Sequence, residues 1–363
     1  MPSGRLVLQL LLSGPRLVQV RNPPMHAIVA TRAQPNSNPL AFEPRELADP
    51  SPGDHDLLIR VEALAVNPVD TKVRASLPLE PGAARILGWD GAGVVEAVGG
   101  AVHGFSPGDA VFFAGDITRP GCYAQKVLVD GRLCGFKPAS LSFGEAAALP
   151  LTSLTAWEAL FERIGLDSEG ADAGRSLLIL GGAGGVGSIA IQLARRAGLK
   201  VIATASRPES RAWCLQLGAN HVVDHSQPLA PQLAALGYSE VDVIANFSNT
   251  DAYWNVMAEL IKPQGAIVCI VGNLNPIDLN VLKSKSVRFA WEFMFTRPQY
   301  RTADMAQQGV ILGIISQLVD SGVLRSTCHD RLSPINADTL AQAHAHLESG
   351  QAIGKLVLEG WSK

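Results

Sequence analysis

Cysteine is scarce in this sequence and follows no pairing pattern. Cys122, Cys134, Cys214, Cys269 and Cys328 are odd in number, and no two form a C-x-x-C pair. That argues against a disulfide framework and a four-cysteine zinc lobe, and points to a reducing cytoplasm. Charge is sparse as well: 17% of residues are charged and the net charge is −3. A nucleic-acid or anionic-membrane partner would favour a concentrated positive surface, so neither is expected. After position 25 no run of 18 or more apolar residues occurs, which argues against a spanning helix. Internal repeats and low-complexity tracts are absent.

Apolar residues are plentiful. They make up 47% of 363 residues, enough for a large core and about two domains. The first 24 residues, "MPSGRLVLQLLLSGPRLVQVRNPP", contain no acid and are rich in leucine. A secretory signal would need a longer apolar run and a clear small-x-small cleavage site. The segment therefore reads as a disordered upstream extension, with Met25 as the functional start.

Two patterns follow. From Ala27 to Val129, runs such as "HAIVAT", "DLLIRVEALAV", "GAGVVEAVG", "DAVFF" and "YAQKVLV" alternate with Pro/Gly/Asp turns. They predict a strongly bent sheet or partial barrel. Beyond "AAALPLTSLTAWEALFERIGL", the strands "SLLIL", "KVIATA", "HVVDH", "VDVIANF", "AIVCIVG" and "VRFAWEF" alternate with helical segments. That alternation predicts an α/β architecture, a doubly wound parallel sheet covered on both faces. The expected division is 25–150, 151–300, and a C-terminal 301–363 that completes the first domain.

The stretch "LLILGGAGGVGSIAIQLARRAG" concentrates glycine between a strand and a helix. Gly182, Gly184 and Gly187 fit G-x-G-x-x-G, with Gly185 and Val186 at the helix start. The spacing provides a tight turn, a bare main chain for a pyrophosphate, and close helix–strand packing. The helix N-terminus offers unpaired N–H groups and a positive dipole end to the phosphates. An NAD enzyme usually carries Asp or Glu at the end of the next strand. Here "KVIATASRPESR" supplies Ser206 and Arg207, with Arg211 four residues on. A carboxylate would repel a 2′-phosphate and a guanidinium would attract it, so NADPH is the expected cofactor. The alternative for Arg207 is a solvated side chain in a helix-capping turn.

Taken together, "VNPVDTKVR", "ILGWDGAGVVEAVG", "FSPGDAVF", "AAALPLTSLTAWEAL", "GGAGGVGSIAIQLAR" and "IGKLVL" resemble the medium-chain dehydrogenase/reductase superfamily, over about Met25 to Gly360. The branch it looks like is the quinone-oxidoreductase-like one, often labelled zinc-type alcohol dehydrogenase-like. The resemblance implies a GroES-like β domain, a Rossmann domain, a cleft between them and a homodimer. Zinc-dependent relatives carry a cysteine near "NPVD", a His-Glu pair after the glycine of "LGWD", and a cysteine near "PLTSLT". This chain has none of them, and Asp70 and Asp90 alone make a poor zinc site. No metal is expected.

The remaining chemistry is hydride addition to a small electrophile, a quinone, enone or aldehyde, whose oxygen needs hydrogen-bond donors or a proton source. By resemblance, Asn67, Asp70 and Lys72 face nicotinamide and substrate. Asn67 is a carbonyl or carboxamide partner, or a pre-proline turn residue. Lys72 is an enolate stabiliser or an exposed lysine, and Asp70 its anchor or the loop's. Trp89 stands at a lost ligand position as pocket wall or core. Tyr123 is a proton donor or a packed aromatic. Thr152 and Thr155 are cofactor contacts or caps; Asn246 and Gly272 end strands where ligands collect. Phe293 and Phe295 are nicotinamide lids or core, and Lys355 a phosphate or ribose contact. His344 and His346 show no metal spacing and are expected at the surface. Two other readings stay open: a metal-free alcohol or carbonyl oxidoreductase, and a nucleotide-binding protein with little turnover.

Overall fold

In chain order the first elements are β1 (Met25–Ala30), β2 (Phe42–Leu47), β3 (Asp56–Ala65), α1 (Pro68–Ala75), β4 (Arg85–Ile86), β5 (Gly91–Val98), β6 (Ala110–Phe113), β7 (Lys126–Asp130), β8 (Cys134–Phe136), α2 (Phe143–Ala147) and α3 (Pro150–Trp157). They come from a computed structural model that describes residues 24–31, 41–77 and 84–362. The expected N-terminal extension lies outside the described residues, Pro24 apart. Strand β3 is the pivot of this part. One face, Leu57, Ile59, Val61, Ala63 and Ala65, is apolar and buried while the other carries Arg60 and Glu62, and the strand pairs antiparallel with β5 and β7. Strands β2, β1 and β4 form a separate three-stranded sheet. The strand-and-turn pattern of the sequence misses β2, because Pro44 interrupts "FEPREL"; the strand tolerates it at a sheet edge, with β1 as its one neighbour.

The second part runs β9 (Ser176–Leu180), α4 (Gly185–Arg196), β10 (Lys200–Thr204), α5 (Pro208–Leu217), β11 (His221–Val223), α6 (Leu229–Ala235), β12 (Val241–Asn246), α7 (Thr250–Leu260), β13 (Ile261–Cys269) and β14 (Arg288–Trp291). All pairings are parallel, in the order β11-β10-β9-β12-β13-β14. Counted from β9, this is the 3-2-1-4-5-6 order of a dinucleotide-binding sheet, whose ligand crevice lies where β9 and β12 part. The Rossmann expectation holds, as does the bent antiparallel sheet before it.

The chain then returns through α8 (Thr296–Tyr300), α9 (Gln307–Asp320), β15 (Cys328–Leu332), α10 (Ala337–Glu348) and β16 (Lys355–Glu359). Strand β16 pairs with β3, Val357 opposite Ala65, and so joins the last strands to the first sheet. The long apolar stretch around residue 150 is broken rather than continuous. Pro150 opens α3 at its N1 position, and the helix widens into a π turn over Glu158–Arg163.

Candidate active site

Strand β9 is wholly buried and delivers the chain to the glycine turn at its carboxyl end. Gly181 takes φ +81°. A Cβ on Gly182 would lie 2.7 Å from Ala203 Cβ, and one on Gly187 would lie 2.3 Å from Gly181 O. Both glycines are therefore required by packing. Gly184 differs: its backbone (φ −72°, ψ 175°) suits any residue, and a Cβ there would meet only Gly181 O, at 3.5 Å. As N-cap of α4 it has no side chain to cap the helix, and the N–H groups of Val186 and Gly187 have no intrahelical acceptor. The protein leaves bare main chain and unpaired donors at a positive helix end. That arrangement fits the pyrophosphate of a dinucleotide.

Next to this turn, Gly354 N donates to Ala183 O at 2.8 Å, and a Cβ on Gly185 would press on Lys355 Cδ and Thr152 Cγ2. Thr152 and Thr155 are buried, and their hydroxyls bond back to Ala148, Leu149 and Leu151 carbonyls of their own helix and its lead-in. Only the Thr152 methyl is shown turned toward the glycine turn. At the end of β10, Ser206 and Arg207 are half-buried, and Arg207 Nη2 donates to Gln351 O at 2.6 Å. Arg211 departs from the expected phosphate cluster: it braces two strand ends, donating to Ala205 O and Val222 O. Asn246 is fully buried, its Oδ1 accepting from Ser248 N, and a Cβ on Gly272 would meet open space.

A chain of buried polar groups links the glycine turn to the first sheet. Lys355 Nζ, 4% exposed as a residue, donates to Val66 O (2.7 Å) and Asn67 Oδ1 (2.5 Å), and pairs with Asp90 Oδ2 at 3.0 Å. Asn67 Nδ2 donates to the same Asp90 oxygen, and Leu151 N donates to the other. The Asn67 main-chain N–H donates to Asp70 Oδ2 at 2.8 Å, closing the first turn of α1 behind Pro68. Tyr123 OH donates to Asp70 Oδ2 (3.2 Å), and its oxygen lies 2.9 Å from His344 Nε2. Beside them Arg74, 1% exposed, pairs with Glu348 at 2.9 Å.

Burial dominates the electrostatics here. It pushes the Asp70 carboxyl up to about 7, against the Asn67 N–H, the Lys355 charge and the Tyr123 hydroxyl. It raises Asp90 too, opposed by Lys355, Asn67 and Leu151. Burial, helped by the Arg74 charge, holds the His344 imidazole down at about 3. His344 is thus a neutral interior residue, and the surface expectation for it is overturned. The Tyr123 hydroxyl is raised well above its usual value by burial and by Asp70, so it acts as a hydrogen-bonding group rather than an acid.

An aromatic wall stands beside this chain. Trp89 is 2% exposed; Phe295 packs against it edge-on at 6.2 Å, and Phe293 against Phe295 at 5.6 Å. Phe295 is core rather than lid, whereas Phe293 is exposed. Lys72 lies exposed on α1, away from the buried groups. Zinc does not fit this donor set. Among the described residues no three His, Cys, Asp or Glu gather as a metal site. Trp89 contributes no ligand atom, Asp90 is committed to Lys355, and burial raises the Cys122 thiol far from thiolate formation.

Two family models match the chain: an alcohol dehydrogenase GroES-like domain over residues 53–152 and a zinc-binding dehydrogenase over 185–307. A zinc-type alcohol dehydrogenase-like protein of Staphylococcus aureus is 44% identical over 318 residues, 87% of this chain and 94% of that protein. The chain belongs to the medium-chain dehydrogenase/reductase superfamily. A quinone oxidoreductase of Lama guanicoe is 33% identical over 86% of this chain and 91% of its own. A solved structure from Rhizobium etli, described as a putative zinc-dependent alcohol dehydrogenase, is 48% identical with a TM-score of 0.89, covering 94% of this chain and 99% of that one. This member of the superfamily is an oxidoreductase by that kinship.

Sequence reasoning missed three members of the buried chain. Arg74 and Glu348 carry no local motif, because they meet across 274 residues of sequence. His344 lies two residues from His346 on α10, but only His344 turns inward, packing edge-on against Phe42 at 4.8 Å. The apolar periodicity of α10, with Leu340, Ala343 and His344 buried together, is the signal that locates it. Lys355 was expected to offer its ammonium to phosphate or ribose. Three acceptors within the protein take it instead, and its stem rather than its charge lies against the glycine turn.

Proposed function

We propose that this protein is an NADPH-dependent reductase of quinones or α,β-unsaturated carbonyls that works without a metal. The observation that carries the reading is Gly184, a glycine that neither backbone strain nor packing requires, at the uncapped start of α4. The bound dinucleotide would supply a hydride from its nicotinamide ring. The chain's own groups do the rest. The glycine turn and the α4 N–H groups hold the pyrophosphate, and Ser206 and Arg207 take the 2′-phosphate in place of the missing acid. The cleft lies between a catalytic part, residues 25–150 with 301–363, and a cofactor part, residues 151–300. Trp89 and Phe295 back it as apolar core, and the exposed Phe293 beside them is the ring that would shield the acceptor from water. The Asp90–Lys355–Asn67 cluster fixes the loop that precedes α1. The same reading makes the protein a cytoplasmic homodimer; the exposed Trp291 on edge strand β14 supports a second copy.

Absorbance at 340 nm tests this directly. NADPH is expected to decay with 1,4-naphthoquinone or an enone, and Arg207→Ala to weaken NADPH binding about tenfold while NADH binding stays unchanged. Equal affinity for both nucleotides in the parent protein would refute the cofactor choice. Tight NADPH binding without decay for any acceptor would favour a binding protein with little turnover.

A further inference from the structure

The last turn of α4 borders a cavity of about 360 Å³, within the roughly 300–1,000 Å³ range of small-molecule sites. Its walls include Gln192, Arg195 and Arg196 of α4, Leu217 at the end of α5, and Val323 and Arg325 from the turn between α9 and β15. Three guanidinium groups line it and no carboxylate does, on a chain whose net charge is −3. Arg196 has an acid of its own, Glu169 at 2.9 Å. Among the described residues Arg195 and Arg325 form no ion pair. Arg195 Nη1 reaches one carbonyl, Gly218 O, at a long 3.4 Å, and the Arg325 guanidinium lies over the Trp213 ring, 5.7 Å from its centroid. Both arginines are nonetheless held in place. Gln192, 7% exposed, clamps the Arg325 main chain: its Oε1 accepts from Arg325 N at 2.9 Å and its Nε2 donates to Arg325 O at 3.3 Å. Gly218 leaves room for the Arg195 stem, since a Cβ there would lie 2.3 Å from Arg195 Cδ. The α4 dipole accounts for cations at its own carboxyl end. It does not account for Arg325, which arrives from another element. Like charges gathered around one hollow repel, and an anion among them removes that repulsion.

We propose that this cavity binds a small organic anion with at least two oxyanion groups, carboxylate or phosphate. Arg195 and Arg325 supply unpaired N–H forks, which match the planar or tetrahedral oxygens of such groups. Arg196 adds charge while keeping Glu169, and Leu217 and Val323 offer apolar contact to the ligand's carbon skeleton. The site is separate from the glycine turn. That turn begins α4 at Gly185, and Arg195 lies ten residues on, about 15 Å along the helix axis. A dinucleotide and this anion therefore occupy opposite ends of one helix, and the inference stands independently of the reductase reading. Because Val323 and Arg325 belong to the C-terminal segment and α4 and α5 to the dinucleotide-binding sheet, the bound anion ties the two together.

Isothermal titration calorimetry of the full chain at low salt tests the site, with citrate as the carboxylate probe and fructose 1,6-bisphosphate as the phosphate probe. At least one should bind with a Kd below about 1 mM, and more weakly as salt rises. The probe that binds names the oxyanion class. Arg195→Ala and Arg325→Ala should each weaken that binding about tenfold, whereas Arg207→Ala should leave it unchanged. Both arginines are exposed, so the variants' thermal melts without anion should match the parent's. Arg325→Lys, which keeps the charge and loses the fork, should retain part of the affinity. No heat from either probe overturns the proposal, and so does binding that survives Arg195→Ala and Arg325→Ala together. Binding abolished by Arg207→Ala overturns it as well, because the anion would then sit at the nucleotide end of the sheet.

Discussion

A methyl group added at Gly187 would sit 2.3 Å from a main-chain oxygen, whereas one added at Gly184 finds 3.5 Å to its nearest protein atom. The two glycines, three apart, therefore separate fold from function. Gly187→Ala is expected to cost roughly 3 kcal/mol through forced displacement of α4 from the turn. Gly184→Ala should leave stability within about 0.5 kcal/mol, since its backbone already suits alanine. It should nonetheless weaken dinucleotide binding, because the methyl occupies the approach to the main chain. Thermal melts and calorimetry with NADPH check both halves; a Gly184→Ala variant that binds as tightly as the parent contradicts the placement. This motif was legible in the sequence, because both flanking elements and the spacing are local. The fate of single ammonium and guanidinium groups was not. Lys355 and Arg211 were expected at phosphates, yet Lys355 is held by Val66 and Asn67 oxygens nearly 290 positions away, and Arg211 by the carbonyls of Ala205 and Val222, which flank its own helix.

At the scale of elements, the site depends on where α1, α3, β5 and β16 meet. Asn67 precedes α1, Leu151 lies in α3, Asp90 precedes β5 and Lys355 opens β16; one ion pair ties all four. Removing one partner of a buried pair strands the other charge. Lys355→Met is thus expected to destabilise the protein by about 3–5 kcal/mol in urea. Adding Asp90→Asn should recover part of that loss, because the orphaned carboxylate is gone. Equal destabilisation by the single and double variants would show that Lys355 matters only for packing. Elements themselves were readable from periodicity, including β9 to β14 and their helices. Their junctions were not, since pairing between β16 and β3 has no signature in either strand. Elsewhere, cationic side chains follow element logic: Arg195 and Arg196 close the last turn of α4, where exposed carbonyls favour positive charge.

For the molecule as a whole, Asp70 and His344 oppose one another as pH changes. Asp70 is raised from 3.8 to about 7, so the folded state keeps a proton that the unfolded chain releases, and stability falls as pH rises through that window. His344 is lowered from 6.5 to about 3, so the unfolded chain takes up a proton that the folded state refuses, and stability falls as pH drops through that window. Between about 4 and 6.5 the two slopes cancel. Arg74, Tyr123, Lys355 and Glu348 face the pair; burial raises the Glu348 carboxyl against the pull of the Arg74 charge, so it adds to the Asp70 slope at the acid end. His344→Phe removes one slope. Relative to the parent, its stability should fall by about 1.4 kcal/mol per pH unit between pH 4.5 and 6.5. Urea midpoints at several pH values measure this, and parallel profiles for variant and parent would contradict it.

Strand β3 takes its neighbour β16 from the far end of the chain, with Lys355 donating to Val66 O across 289 positions. During synthesis the ribosome releases β3 long before that partner exists. The nascent chain must carry an open, apolar strand edge while the whole dinucleotide-binding sheet is made, a template for pairing with other chains. Slow translation or chaperone shortage should therefore harm this protein's yield more than its folded stability suggests.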